Sequence, residues 1–132
     1  MSDDVTDWTE FREFTAVDLQ QSFVVDWRTD GTTLLVELDL LLLPQHTFYE
    51  KPRPNEGACF RQAGIEFGDC TQVAERGKES SGELADSIDS LQAGRIAGLR
   101  RAGDGYYEIF GEFGTVGIIA ERPLLRLIGQ LS

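Results

Sequence analysis

Residues 22–43, SFVVDWRTDGTTLLVELDLLLL, place two apolar arms either side of a Thr-Asp-Gly-Thr turn, and no other stretch restricts the fold as much. Leu34, Val36, Leu38, Leu40 and Leu42 recur at every second position of the second arm, and Phe23, Val25 and Trp27 do so in the first. Period two is the spacing of strands with one buried face, because successive side chains point to opposite sides of the pleat. The stretch is therefore predicted to be a β-hairpin, with the leucines inward and Glu37 and Asp39 pointing away from them. Asp30-Gly31 supplies the left-handed backbone positions that a tight turn of this hand requires.

The remaining residues extend this hairpin into one domain spanning 1–132, a length that can bury a core without staples. Residues 1–7 are polar and acidic and are expected to fray. Trp8, Phe11 and Phe14 follow at intervals of three, which predicts one or two amphipathic helical turns closing one end of the core. Pro44 lacks the N–H that a strand needs. After it, PQHTFYEKPRPNEGA (44–58) holds three prolines and one glycine in fifteen positions, so a long loop is expected, ordered by Phe48 and Tyr49. Residues 59–67 return to strand spacing, with Ala63, Ile65 and Phe67 on one parity and Phe60, Gln62 and Glu66 on the other, and Gly68-Asp69 turns the chain.

Residues 73–82 are charged and rich in glycine and serine, the composition of a mobile surface loop. Leu84, Ile88 and Leu91 then recur at helical spacing behind Ser80 and Ser81, predicting a short helix over 83–92, with an edge strand as the alternative. Strands are expected at 96–101, 106–113, 115–121 and 124–128, with turns at Gly103-Asp104-Gly105 and Gly114 and with Pro123 marking an edge. Both faces of the 106–113 strand carry aromatics, so part of its outer side must be covered or bind something. The fold class is mainly β (α+β): about seven strands in an antiparallel curled sheet or a two-layer β-sandwich, with one or two short helices.

Charge narrows the partners. The chain has a net charge of −11, unevenly spread: residues 1–43 hold ten acidic side chains against Arg12 and Arg28. Such a field disfavours nucleic acid and anionic membrane surfaces, and speeds association with a basic partner. No apolar run approaches the roughly 20 residues that span a bilayer, and the N-terminus has no secretory pattern. Cys59 and Cys70 are the only cysteines and are expected as free thiols. A cytoplasmic location follows as the expectation.

The segment 46–61 gathers most of the chemistry: His46, Tyr49, Glu50, Arg53, Glu56 and Arg61, with Lys51, Asn55 and Cys59 among them. His46 is the sole histidine, and no spacing of zinc-ligand type is present, so neither a metal nor a cofactor is expected. A Cys59–His46 nucleophile pair lacks the sharp turn or helix start that lowers a thiol pKa, and Cys59 falls on the apolar parity of its strand. Glu37 and Asp39 share an exposed strand face, where solvated carboxylates are the default. The glycines at 111, 114 and 117 lack the helix start and lysine of a phosphate loop and are expected to serve turns or bulges. No catalytic residue is assigned.

The hairpin SFVVDW…LLVELDL, the loop LPQHTFYEKPRPNEGACFRQAGIEF and the ending GDGYYEIFGEFGTVGIIAERPLLRL together resemble a group of small acidic bacterial domains without assigned activity, similar to immunity proteins encoded beside toxins. The resemblance implies a non-enzymatic role in neutralising a basic partner. The contact surface would then be the acidic hairpin face (Asp26, Glu37, Asp39) or the 44–58 loop, with Tyr49, Phe48 and an arginine as anchors. Candidate binding residues are thus Asp39, His46, Tyr49, Glu50, Arg53, Glu56 and Arg61. Two alternatives stand beside this one: a small enzyme or ligand-binding protein with a pocket under the 44–61 loop, and a homodimer formed through an exposed sheet edge.

Overall fold

The computed structural model describes residues 6–46, 59–75, 88 and 91–127. These form one open, curled, antiparallel sheet of nine strands. The strands are β1 (Thr6–Asp7), β2 (Val17–Asp30), β3 (Thr33–Leu42), β4 (Cys59–Phe67), β5 (Gln72–Glu75), β6 (Gly94–Gly103), β7 (Tyr106–Gly111), β8 (Gly114–Ile119) and β9 (Leu124–Leu127). Their order is β5-β8-β7-β6-β2-β3-β4-β9, and β1 pairs with the far end of β6. Among the described residues no helix is long and apolar enough to cross a membrane.

The hairpin forms from β2 and β3 as expected, and Leu34, Val36, Leu38, Leu40 and Leu42 are all buried. Its turn differs in detail. Asp30 pairs with Thr33, so the loop is Gly31-Thr32, and only Gly31 is left-handed (φ 63°), the residue order of a type II′ connection. The first arm departs further from the alternation. Val24 and Trp27 face inward, whereas Val25 is 57% exposed, because the register slips between Val24 and Asp26 and leaves Val25 as the extra residue of a bulge. A larger slip lies between Asp18 and Phe23. There the buried Ser22 hydroxyl donates to the Asp18 carbonyl (2.8 Å) and accepts from the Leu41 amide (2.9 Å), replacing ladder bonds that the bulge interrupts.

Trp8, Phe11 and Phe14 close one end of the core, on two single 3₁₀ turns, Trp8–Glu10 and Arg12–Phe14. Asp7 caps the first turn by accepting from the Thr9 amide (3.2 Å). Thr6 and Asp7 are paired to Arg101 and Arg100 rather than frayed. Residues 73–75, expected to begin a mobile loop, belong to strand β5 on the edge of β8, with Val73 buried. The rest of that loop and most of the helix expected at 83–92 lie outside the described residues. Leu91 donates its amide to the Ile88 carbonyl (3.1 Å), and both side chains pack against the core.

The C-terminal strands occupy their expected places, but β9 leaves the meander and pairs with β4 at the opposite edge. The curl brings the inner faces of the two halves together: Tyr107 of β7 meets Phe67 of β4 (5.7 Å between ring centroids) and Phe11 (6.3 Å), and Trp27 of β2 meets Phe113 edge-on (5.6 Å). The aromatics on the outer side of β7 are accounted for by glycines. A Cβ at Gly98 would stand 2.6 Å from the Phe110 ring, and one at Gly117 would stand 2.6 Å from the Tyr106 hydroxyl, so both rings lie down on bare backbone. Between them Glu108, 8% exposed, accepts from Arg100 (2.7 Å) and from the Tyr106 hydroxyl (3.1 Å).

Candidate functional site

Register and pleat together determine which candidates meet. Asp39 of β3 stands opposite Phe23 of β2 and Gln62 of β4, on the outer face of the sheet. Arg61 stands opposite the fully buried Leu40 and so starts on the inner row at the mouth of β4, where its Nη1 donates to the Phe60 carbonyl (2.7 Å). His46 lies past the end of β3, its amide bonded to the Leu43 carbonyl (2.9 Å), and burial lowers its imidazole pKa. Asp39 and Arg61 are therefore on opposite faces of the sheet. Tyr49, Glu50, Arg53 and Glu56 lie outside the described residues, as do Phe48, Lys51, Asn55 and the side chain of Cys59. Cys70 is a buried free thiol whose pKa is raised by burial.

The outer face of β2–β3–β4 has features that a period-two pattern does not reveal. Val25 projects from its bulge, and Phe23 and Phe60 lie 6.3 Å apart, centroid to centroid, across the β2–β4 side of the leucine strand. Val25, Glu37 and Gln62 rim a dimple of about 190 Å³, whose floor is the Leu38–Ala63 backbone pair. Alternation places Val25 inward, and Gln62 carries no ionisable group. Neither position signals a binding role in the sequence.

Charge on this face is more balanced than the acid count suggests. Arg28 reaches both Glu37 (3.2 Å) and Asp26 (3.5 Å), Arg126 of β9 reaches Glu66 (2.9 Å), and Arg95 stands over the Phe23 ring (5.4 Å). Asp39 differs from the other acids. No described side chain or amide bonds its carboxylate, and partial burial raises its pKa above the usual value. Asp39 is thus a partly buried carboxylate that no described cation pairs.

A second concavity of about 580 Å³ opens where β1 and the first 3₁₀ turn meet the β6–β7 hairpin, with Glu10, Arg101, Asp104, Glu121 and Arg122 around Phe11 and Tyr107. Its charges are largely spoken for: Arg101 pairs with Asp104 (3.0 Å), and Glu121 hydrogen-bonds Asp69, which raises the Glu121 pKa. No group of three or more His, Cys, Asp or Glu side chains among the described residues is placed to hold a metal ion. Comparison of the chain with protein-family models, curated proteins and solved structures gives no match. The fold and this surface define the protein physically as an open curled β-sheet domain presenting a mixed apolar and acidic outer face.

Proposed function

We propose that the protein is a non-catalytic protein-binding module of a bacterial cytoplasm, which takes a basic partner on the outer face of β2–β3–β4 in the manner of an immunity-type protein. The observation that carries this reading is Asp39: a partly buried carboxylate with no bonding partner among the described residues, next to aromatic and aliphatic side chains on an open sheet face. A net charge of −11 adds long-range attraction for a basic surface. A pocket under the 44–61 loop has less support, since of its residues His46 and Arg61 are described and Arg61 turns to the inner row. Self-association through a sheet edge is also the lesser reading, because the terminal strands β5 and β9 each offer a ladder of four residues among those described.

Affinity capture with the tagged protein at low and high salt tests the proposal, run beside Asp39→Lys. The expected result is a basic protein retained at low salt, released at high salt and not retained by Asp39→Lys. Equal retention by the two proteins would remove Asp39 and its face from the interaction.

A further inference from the structure

The dimple beside Asp39 has the dimensions of a side-chain seat. Pockets for drug-sized molecules run to roughly 300–1,000 Å³, whereas this one is about 190 Å³ and lies between Val25, Glu37 and Gln62. Gln62 is the register partner of Asp39, and Glu37 is two positions before Asp39 on the same face of β3, so Asp39 is the next outward residue beside two that line the dimple. One wall is apolar, because Val25 stands out from the β2 bulge. The rim on the other side is polar.

The neighbouring ion pairs determine which charge the seat attracts. Arg28 is shared between Glu37 and Asp26, Arg126 pairs with Glu66 and Arg95 lies over Phe23, so Asp39 is the acid of this face that no described cation pairs. We infer that the dimple receives one arginine side chain of the basic partner, its methylene stem against Val25 and its guanidinium shared between Asp39 and the Gln62 carboxamide oxygen. This inference rests on the binding reading above and adds the chemistry of its central contact. Arginine fits better than lysine for two physical reasons. Its planar fork can donate to a carboxylate and a second acceptor at once, and its weaker hydration makes transfer next to a half-buried carboxylate less costly.

The test is an NMR titration of the ¹³C,¹⁵N-labelled full chain with a capped penta-arginine peptide at low ionic strength, repeated with penta-lysine. Amides of Glu37, Asp39, Gln62 and Ala63 and the Val25 methyls are expected to shift, with penta-lysine binding more weakly. Asp39→Asn is expected to weaken binding about tenfold, the loss of a charge-assisted hydrogen bond. Val25→Lys, a change at an exposed bulge residue, is expected to abolish the shifts by placing a resident cation at the seat. If penta-arginine binds but perturbs another face and is indifferent to Asp39→Asn, the arginine seat is wrong while a basic partner still stands. Equal binding of the two peptides at Asp39 overturns the choice of arginine. Absence of binding by either peptide at low salt overturns the seat and the basic-partner reading together.

Discussion

The Ser22 hydroxyl accepts a 2.9 Å hydrogen bond from the Leu41 amide, beside the register slip between Asp18 and Phe23. Ser22 is fully buried, so water cannot take over this bond. Ser22→Ala leaves a buried amide unsatisfied and is expected to destabilise the fold by about 1–3 kcal/mol. Urea denaturation should show a lower midpoint with an unchanged slope.

Ala16 has φ 62°, in the left-handed region, at the corner where its carbonyl accepts from the Leu43 amide (2.9 Å). A Cβ in that conformation costs roughly 1–2 kcal/mol, and the gain from removing it is reduced by the greater freedom glycine gives the unfolded chain. Ala16→Gly should therefore raise the melting temperature. No change, or a fall, would mean that the strain is smaller than the entropy it is weighed against.

Glycines at the β6–β7 crossing should respond unequally to a methyl group. A Cβ at Gly111 would collide with the Arg95 carbonyl, which is backbone and already accepts from the Glu112 amide (2.9 Å). A Cβ at Gly98 would meet the Phe110 ring, which can rotate away. Gly111→Ala is expected to cost the full overpacking penalty of about 1–3 kcal/mol or more, and Gly98→Ala less. Thermal melts of the two variants compare them directly.

Asp69 and Glu121 share a hydrogen bond at the β4–β5 corner, and the proximity of Asp69 raises the Glu121 pKa. A carboxyl whose folded pKa is raised favours the native state at acidic pH, and that contribution is lost as pH rises through the raised value. At neutral pH the two ionised groups repel. Asp69 is also left-handed (φ 46°), a conformation that asparagine tolerates. Asp69→Asn should raise the melting temperature at neutral pH and return Glu121 to the ordinary carboxylate range, as ¹³C-detected titration would report.

The same sign applies to Asp39, where burial is the cause. Its raised pKa means that ionisation disfavours the folded state above its ordinary value of 3.8. Asp39→Asn should melt higher than the parent at neutral pH, and the two curves should converge below pH 3.8. The variant predicted to bind more weakly is thus expected to be the more stable one.

Period-two spacing located the strands and the inward leucines because alternation is a local property of the chain. It misplaced Phe23 and Val25 because a bulge adds one residue to one strand and reverses the parity beyond it, and nothing in FVVDW marks which valine is extra. β5 was missed since Gln-Val-Ala-Glu carries a single apolar β-former, and its strand conformation is imposed by β8. The station of β9 beside β4 is set by the curl of the open sheet, which no window of sequence contains. Asp39 was legible as an outward carboxylate. Its isolation was not, because that depends on Arg28 reaching Glu37 and Asp26 instead.

Between β2 and β6 the backbone ladder runs through two register pairs, Phe23 with Arg95 and Val24 with Gly94. The described strands are therefore two leaves sewn along a short spine, while the buried side chains of both leaves form one cluster. Heat has to dissolve that cluster as a unit, so thermal unfolding should be a single step. A tensile load across the spine meets very few bonds acting in parallel, and the leaves should part there well before either one unravels.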